Sequence, residues 1–119
     1  MGYFSKVLTE LKSTSAFLYT GINEEDLTGM VNEFFHTSGY MVKFEKDKFV
    51  TYEKGNPTLM QIFGAPHAYF RFSVAVSKID RNACQVTVIR STSGSSGGAI
   101  GRSQVEDEFS RIKIGLSTF

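Results

Sequence analysis

The stretch that most restricts this chain runs from Tyr69 to Ile79. Phe70, Phe72, Val74 and Val76 alternate without a break with Arg71, Ser73, Ala75 and Ser77. A period of two is the signature of a strand with one face on a core and the other turned away from it. Asp80-Arg81-Asn82 then turns the chain, and Cys84, Val86 and Val88 carry the apolar face back. The two apolar faces coincide only when paired positions sum to an even number, which a three-residue loop provides. A sheet with so apolar a face must be covered by an element with an apolar face of its own.

Two segments qualify as that cover. Asn23 is placed to cap a helix whose first turn holds Glu24, Glu25 and Asp26, acids at the positive end of the helix dipole. Leu27, Met30, Val31, Phe34 and Phe35 follow at i, i+3, i+4, i+7 and i+8, a single stripe, and Gly39 stands where a left-handed C-terminal cap belongs. The second segment opens at Ser103, with Glu106 three residues on as a capping box, and carries Val105, Phe109, Ile112 and Leu116 on one side.

Ala16–Thr20 reads as a further strand. Tyr40–Glu45 and Phe49–Glu53 read as a hairpin across a three-residue loop, Lys46-Asp47-Lys48, with Tyr40, Val42, Phe44, Val50 and Tyr52 on the core face. Tyr3, Phe4, Val7, Leu8 and Leu11 have helical spacing, so an amphipathic helix is expected over residues 1–12. Pro57 suits the first position of a short helix over Thr58–Phe63. The order is β-α-β-β-(α)-β-β-α. It describes one two-layer α+β domain over 1–119, an antiparallel sheet of about five strands with two long helices on one face. At the level of topology this order resembles small sheet-and-helix binding folds of the helix-grip and TATA-binding-protein-like kinds. Such folds host unrelated functions, so the resemblance implies architecture alone.

Composition excludes several classes. A chain with 41% hydrophobic and 21% charged residues is too apolar for intrinsic disorder, and no apolar run approaches the roughly 20 residues of a membrane span. One cysteine forms no internal disulfide. The first residues lack a basic stretch followed by a long apolar one, so a cytoplasmic place is expected. Net charge is +1, and no dense Lys/Arg cluster exists, which argues against nucleic acid even though Tyr69, Arg71, Ile89 and Lys43 share the outer sheet face. All five arginines nevertheless fall in residues 61–119. Two histidines and one cysteine show no metal-ligand spacing, and no cofactor motif is present.

Three segments or residues bear on function. Leu59, Met60, Ile62 and Phe63, between Pro57 and Pro66, concentrate apolar surface and are read as a partner or ligand contact, with His67 at its edge. Ser96-Gly97-Gly98-Ala99-Ile100-Gly101-Arg102-Ser103 nearly matches a phosphate loop, with Ser96 for the first Gly and Arg102 for the Lys. Only 16 residues follow Ser103, too few for a nucleotide hydrolase. What survives is an anion site on Gly97, Gly98, Gly101, Arg102 and Ser103, within a loop over 91–102 whose Ser/Gly content predicts flexibility. Cys84 falls on the core face, and His36 lies near a helix C-terminus. His67 has no acid or nucleophile beside it in sequence, and no catalytic constellation is visible. The expectation is a non-catalytic binding domain, most naturally a protein-interaction module. The alternative is a binder of a small apolar or anionic ligand between the sheet and residues 57–66. An enzyme using His67 comes third.

Overall fold

The computed structural model describes residues 2–55, 69–90 and 98–119, with side chains from residue 105 onward in the last stretch. The elements are β1 (Phe4–Glu10), β2 (Thr14–Thr20), α1 (Glu24–Thr37), β3 (Met41–Lys46), β4 (Phe49–Lys54), β5 (Phe70–Asp80), β6 (Ala83–Arg90) and α2 (Gly98–Leu116). The six strands form one sheet in the order β1-β2-β6-β5-β4-β3, every neighbour antiparallel. The α+β class and the antiparallel sheet agree with the sequence reading, with one strand more than expected.

That extra strand is β1, where a helix was expected over residues 1–12. Phe4 lies opposite Tyr19 and Val7 opposite Phe17, with register breaks at Ser5 and again at Leu8. Each break is a β-bulge that inserts one residue and resets the alternation. Phe4 and Val7 therefore share a face at a spacing of three, which in the bare sequence is indistinguishable from helical spacing.

Bulges also correct both hairpin readings. The β3–β4 turn is the pair Asp47-Lys48, both left-handed at φ 52° and 70°, and it closes on Lys46 opposite Phe49. That is a two-residue primed turn and not a three-residue loop. It pairs Phe44 with Thr51, and a bulge at Lys43 then returns Val42 to Tyr52. The β5–β6 hairpin repeats the device. Asp80 pairs with Ala83, a bulge at Ile79 follows, and Lys78, Val76 and Val74 meet Cys84, Val86 and Val88. The even-sum register holds over the core in both hairpins, but a bulge supplies it.

The helices follow their caps. Asn23 Oδ1 accepts from the Asp26 amide at 2.7 Å. At the other end the Tyr40 amide donates to the Phe35 carbonyl and the Gly39 amide to that of His36, the Schellman pattern, with Gly39 at φ +93°. Tyr40 then packs edge-on against Phe35, with ring centroids 5.4 Å apart. The last helix departs from expectation. It starts at Gly98, so Ser103 and Glu106 lie inside it and do not cap it. A capping-box pattern marks one local solution for a helix start and does not prevent an upstream turn of Gly, Ala and Ile from joining.

Leu27, Val31 and Phe35 of α1 and Phe109, Ile112 and Leu116 of α2 enter one core with Phe17, Tyr19, Tyr52, Phe72, Val86 and Val88 of the sheet. Phe35 stacks on Tyr52 at 4.4 Å and Phe72 on Phe109 at 5.8 Å. Cys84 is buried on the same face, as the alternation requires. The Tyr19 hydroxyl donates to the Leu116 carbonyl at 2.7 Å and so serves one of the orphan acceptors at the end of α2.

Candidate functional site

The helices lie on the Phe17/Phe72 face, and the outer face of the sheet holds an open groove of about 680 Å³. Pairing across four neighbouring strands sets Phe44, Thr51, Ser73 and Ile89 in one row. Phe49 and Arg71, two residues from Thr51 and Ser73 along their strands, line the groove as well. Its floor is low because its residues are short. Thr51 is buried and shares a hydrogen bond with Ser73, Oγ1 to Oγ 3.0 Å, and Ala16 and Ala75 are buried nearby on the same face.

Phe44 is the residue the sequence reading placed wrongly. Simple alternation with Val42 puts it on the core face. The bulge at Lys43 turns it outward, opposite Thr51, where it is 48% exposed. Met41 and Val42, in the same edge strand, are 73% and 51% exposed. The outer-face placement of Arg71 and Ile89 was legible from alternation alone. Phe49 and Thr51 carried only the hairpin signal, and nothing in it distinguished a groove from an ordinary exposed face.

Two of the outer-face groups, Tyr69 and Lys43, are tied up beside the groove. Tyr69 is buried, and its hydroxyl donates to Glu53 Oε2 at 2.8 Å. Lys43 Nζ reaches the same carboxylate at 3.4 Å. Burial, then the hydrogen bond and charge of Glu53, push the Tyr69 phenol up, against the opposing charges of Lys43 and Arg71. This ring is not a stacking platform.

On the helix side, Glu108 takes a hydrogen bond from the Tyr40 hydroxyl at 2.5 Å and two from Arg111, at 2.9 and 2.8 Å. Burial works against its charge, but the bonds from Arg111 and Tyr40 and the charges of Arg111 and Lys54 outweigh it, and the carboxyl lies below its ordinary value. Burial and then Glu108 push the Tyr40 phenol far up. The cluster ties the start of β3 to the middle of α2. Glu108 sits in mid-helix because α2 begins at Gly98.

Of the site residues read from sequence, Leu59, Met60, Ile62, Phe63, His67 and Gly97 lie outside the described residues. Gly98, Gly101, Arg102 and Ser103 belong to the backbone of α2. The free amides of a helix are its first four, so the start at Gly98 gives the amides of Arg102 and Ser103 intrahelical acceptors. His36 is exposed in the last turn of α1. Among the described residues no group of three or more His, Cys, Asp or Glu is arranged to hold a metal ion, and no helix is long and apolar enough to cross a membrane. No protein-family model matches this chain, and no curated protein matches it in sequence.

Proposed function

We propose that this chain is a non-catalytic binding domain that engages another protein through the outer face of its sheet. The observation that carries the reading is the groove, with Phe44, Phe49 and Ile89 around a short-residue floor and Met41 and Val42 exposed on the adjoining edge strand. Large apolar side chains gathered at an exposed surface, with polar neighbours at the rim, are what protein contacts use. The groove is open, which suits a protein segment better than an enclosed small molecule. A cytoplasmic setting belongs to the same proposal, since one buried thiol needs no oxidising compartment.

A second reading has its own support. Lys46 and Arg71 line the groove beside its aromatic rings, a combination that also suits a small ligand with an apolar body and an anionic group. One experiment separates them. Wild-type protein and a Phe49→Asp/Ile89→Asp variant are used as bait in native lysate, and purified protein is weighed by native mass spectrometry. The proposal expects a protein retained by the wild type and lost by a variant that keeps its circular dichroism spectrum. An identical retained set for both baits overturns it. A bound small molecule in the wild type alone favours the second reading.

A further inference from the structure

We propose that the corner where the β1–β2 turn, the end of β6 and one flank of α2 meet is an oxyanion site, and that it takes the doubly charged phosphate of a small ester. The site lies on the helix side of the sheet and does not rest on what occupies the outer groove.

Helical phase and strand pairing build it. Glu106, Phe109, Ser110 and Lys113 stand at i, i+3, i+4 and i+7, one stripe along α2. Together with Glu10, Leu11, Lys12 and Arg90 they line an open cavity of about 310 Å³. Arg90 ends β6 and lies opposite Phe72, so its side chain leaves the sheet on the core face. The carbon at the centre of its guanidinium is 6.0 Å from the centre of the buried Phe109 ring, and Lys113 Nζ is 4.8 Å from the same point. Two cations thus converge on one ring, whose faces attract each of them but neutralise neither.

The two cations are served unequally. Lys113 has the Glu10 carboxylate at 3.2 Å. Among the described residues no carboxylate pairs with Arg90, and its Nε is buried without a hydrogen-bond partner. A buried donor without an acceptor costs free energy, and a ligand oxygen is one of the ordinary ways to meet it. The guanidinium edge is a planar fork matched to oxyanions. Burial adds to the asymmetry. Arg90 and Lys113 are half-buried, whereas Glu10, Lys12 and Glu106 are exposed, where water screens them most. A tetrahedral dianion offers oxygens in several directions, so one phosphate can meet Arg90, Lys113 and the Ser110 hydroxyl together. A planar, singly charged carboxylate would be satisfied by Arg90 alone. Glu10 is the built-in competitor, because an arriving phosphate must take Lys113 from it. Leu11 and Phe109 leave an apolar wall for the body of the ester.

Arg90 borders the outer groove as well, so the variants are made at Lys113 and Glu10, which do not. Nitrogen-15-labelled protein is titrated with inorganic phosphate to millimolar levels, at a pH where phosphate is doubly charged and with sodium chloride holding the ionic strength constant. The Arg90 Nε–H resonance and the amides of Leu11, Ser110 and Lys113 are expected to move together to saturation. Lys113→Gln should weaken the affinity by about 10-fold or more. Glu10→Gln should tighten it, because Lys113 is released. Acetate under the same conditions should bind more weakly than phosphate. The absence of saturable movement overturns the proposal, and so does acetate binding as tightly as phosphate. A folded Lys113→Gln protein that keeps the wild-type affinity overturns it too. If that variant does not fold, Glu10→Gln decides alone, and an affinity equal to or weaker than wild type overturns the proposal. None of these outcomes bears on whether the groove variant loses its partner.

Discussion

Asp47 and Lys48 carry a sharp local cost, because both hold left-handed φ without being glycine. A β-carbon in that region is disfavoured by roughly 1–2 kcal/mol. Lys48→Gly is therefore expected to stabilise the protein by about 0.5–1 kcal/mol, the relieved strain less the extra freedom of an unfolded glycine. Urea melts check it, and a loss of stability would mean the turn is not the primed type. Cys84 offers a second test at this scale. It is buried on the core face, its thiol donates toward the Ile22 carbonyl at 3.5 Å, and burial and then Glu24 push its pKa up. A thiol probe should label the native protein at least about 100-fold more slowly than the unfolded one, since reaction must wait for opening. Rapid native labelling would turn that strand face outward.

Between elements, one contact of the two helices depends on an absent side chain. Gly115 of α2 lies against the ring of Phe34 of α1, and a β-carbon at 115 would overlap that ring. Phe34 also packs edge-on against Phe35 and Phe119, at 5.5 and 5.9 Å. Alanine in place of an interior helical glycine normally gains roughly 1 kcal/mol. Here the overlap opposes that gain, and overpacking costs about 1–3 kcal/mol. Gly115→Ala should therefore destabilise by about 1–2 kcal/mol, and Gly115→Ala with Phe34→Leu should recover part of the loss. A more stable single variant in thermal melts would show that the helices do not touch there.

For the whole molecule, buried phenols set the alkaline limit. Burial pushes the Tyr19 and Tyr40 hydroxyls far above the ordinary phenol value of 10.0. A group whose folded value is raised contributes stability that is complete below its unfolded value and lost as pH rises past it. Above pH 10 each tyrosine should remove up to about 1.4 kcal/mol per pH unit. Glu108 has the opposite sign: its lowered value contributes above the ordinary carboxylate value of 4.5 and is lost as pH falls below it. Tyr19→Phe is expected to lose about 1 kcal/mol at neutral pH with its bond to Leu116, and to unfold less steeply above pH 10. Denaturant midpoints from pH 4 to 11 test both limbs, and equal alkaline slopes would place Tyr19 in solvent.

Much of this architecture was legible because it is written in single elements. Asn23, the stripe from Leu27 to Phe35 and Gly39 specify α1 within 17 residues, since each cap or periodic position acts on backbone a few residues away. The alternation in β5 and β6 determined which residues face the core, and with it the even parity of their pairing. How that parity is reached was decided only in the assembled sheet. A bulge is an extra residue relative to a partner strand, so Ser5, Leu8, Lys43 and Ile79 have no property in the isolated sequence that marks them. Once the strands pair, burial of Tyr52, Phe72 and Val86 holds the core register, and each extra residue is forced out wherever turn and register disagree. That displacement makes a strand of residues 4–10, turns Phe44 from core to surface, and so builds the groove. The sequence determines which faces are apolar, because that is a sum over its own side chains. Only the tertiary structure decides where a strand slips by one residue, because that is a contest between two strands.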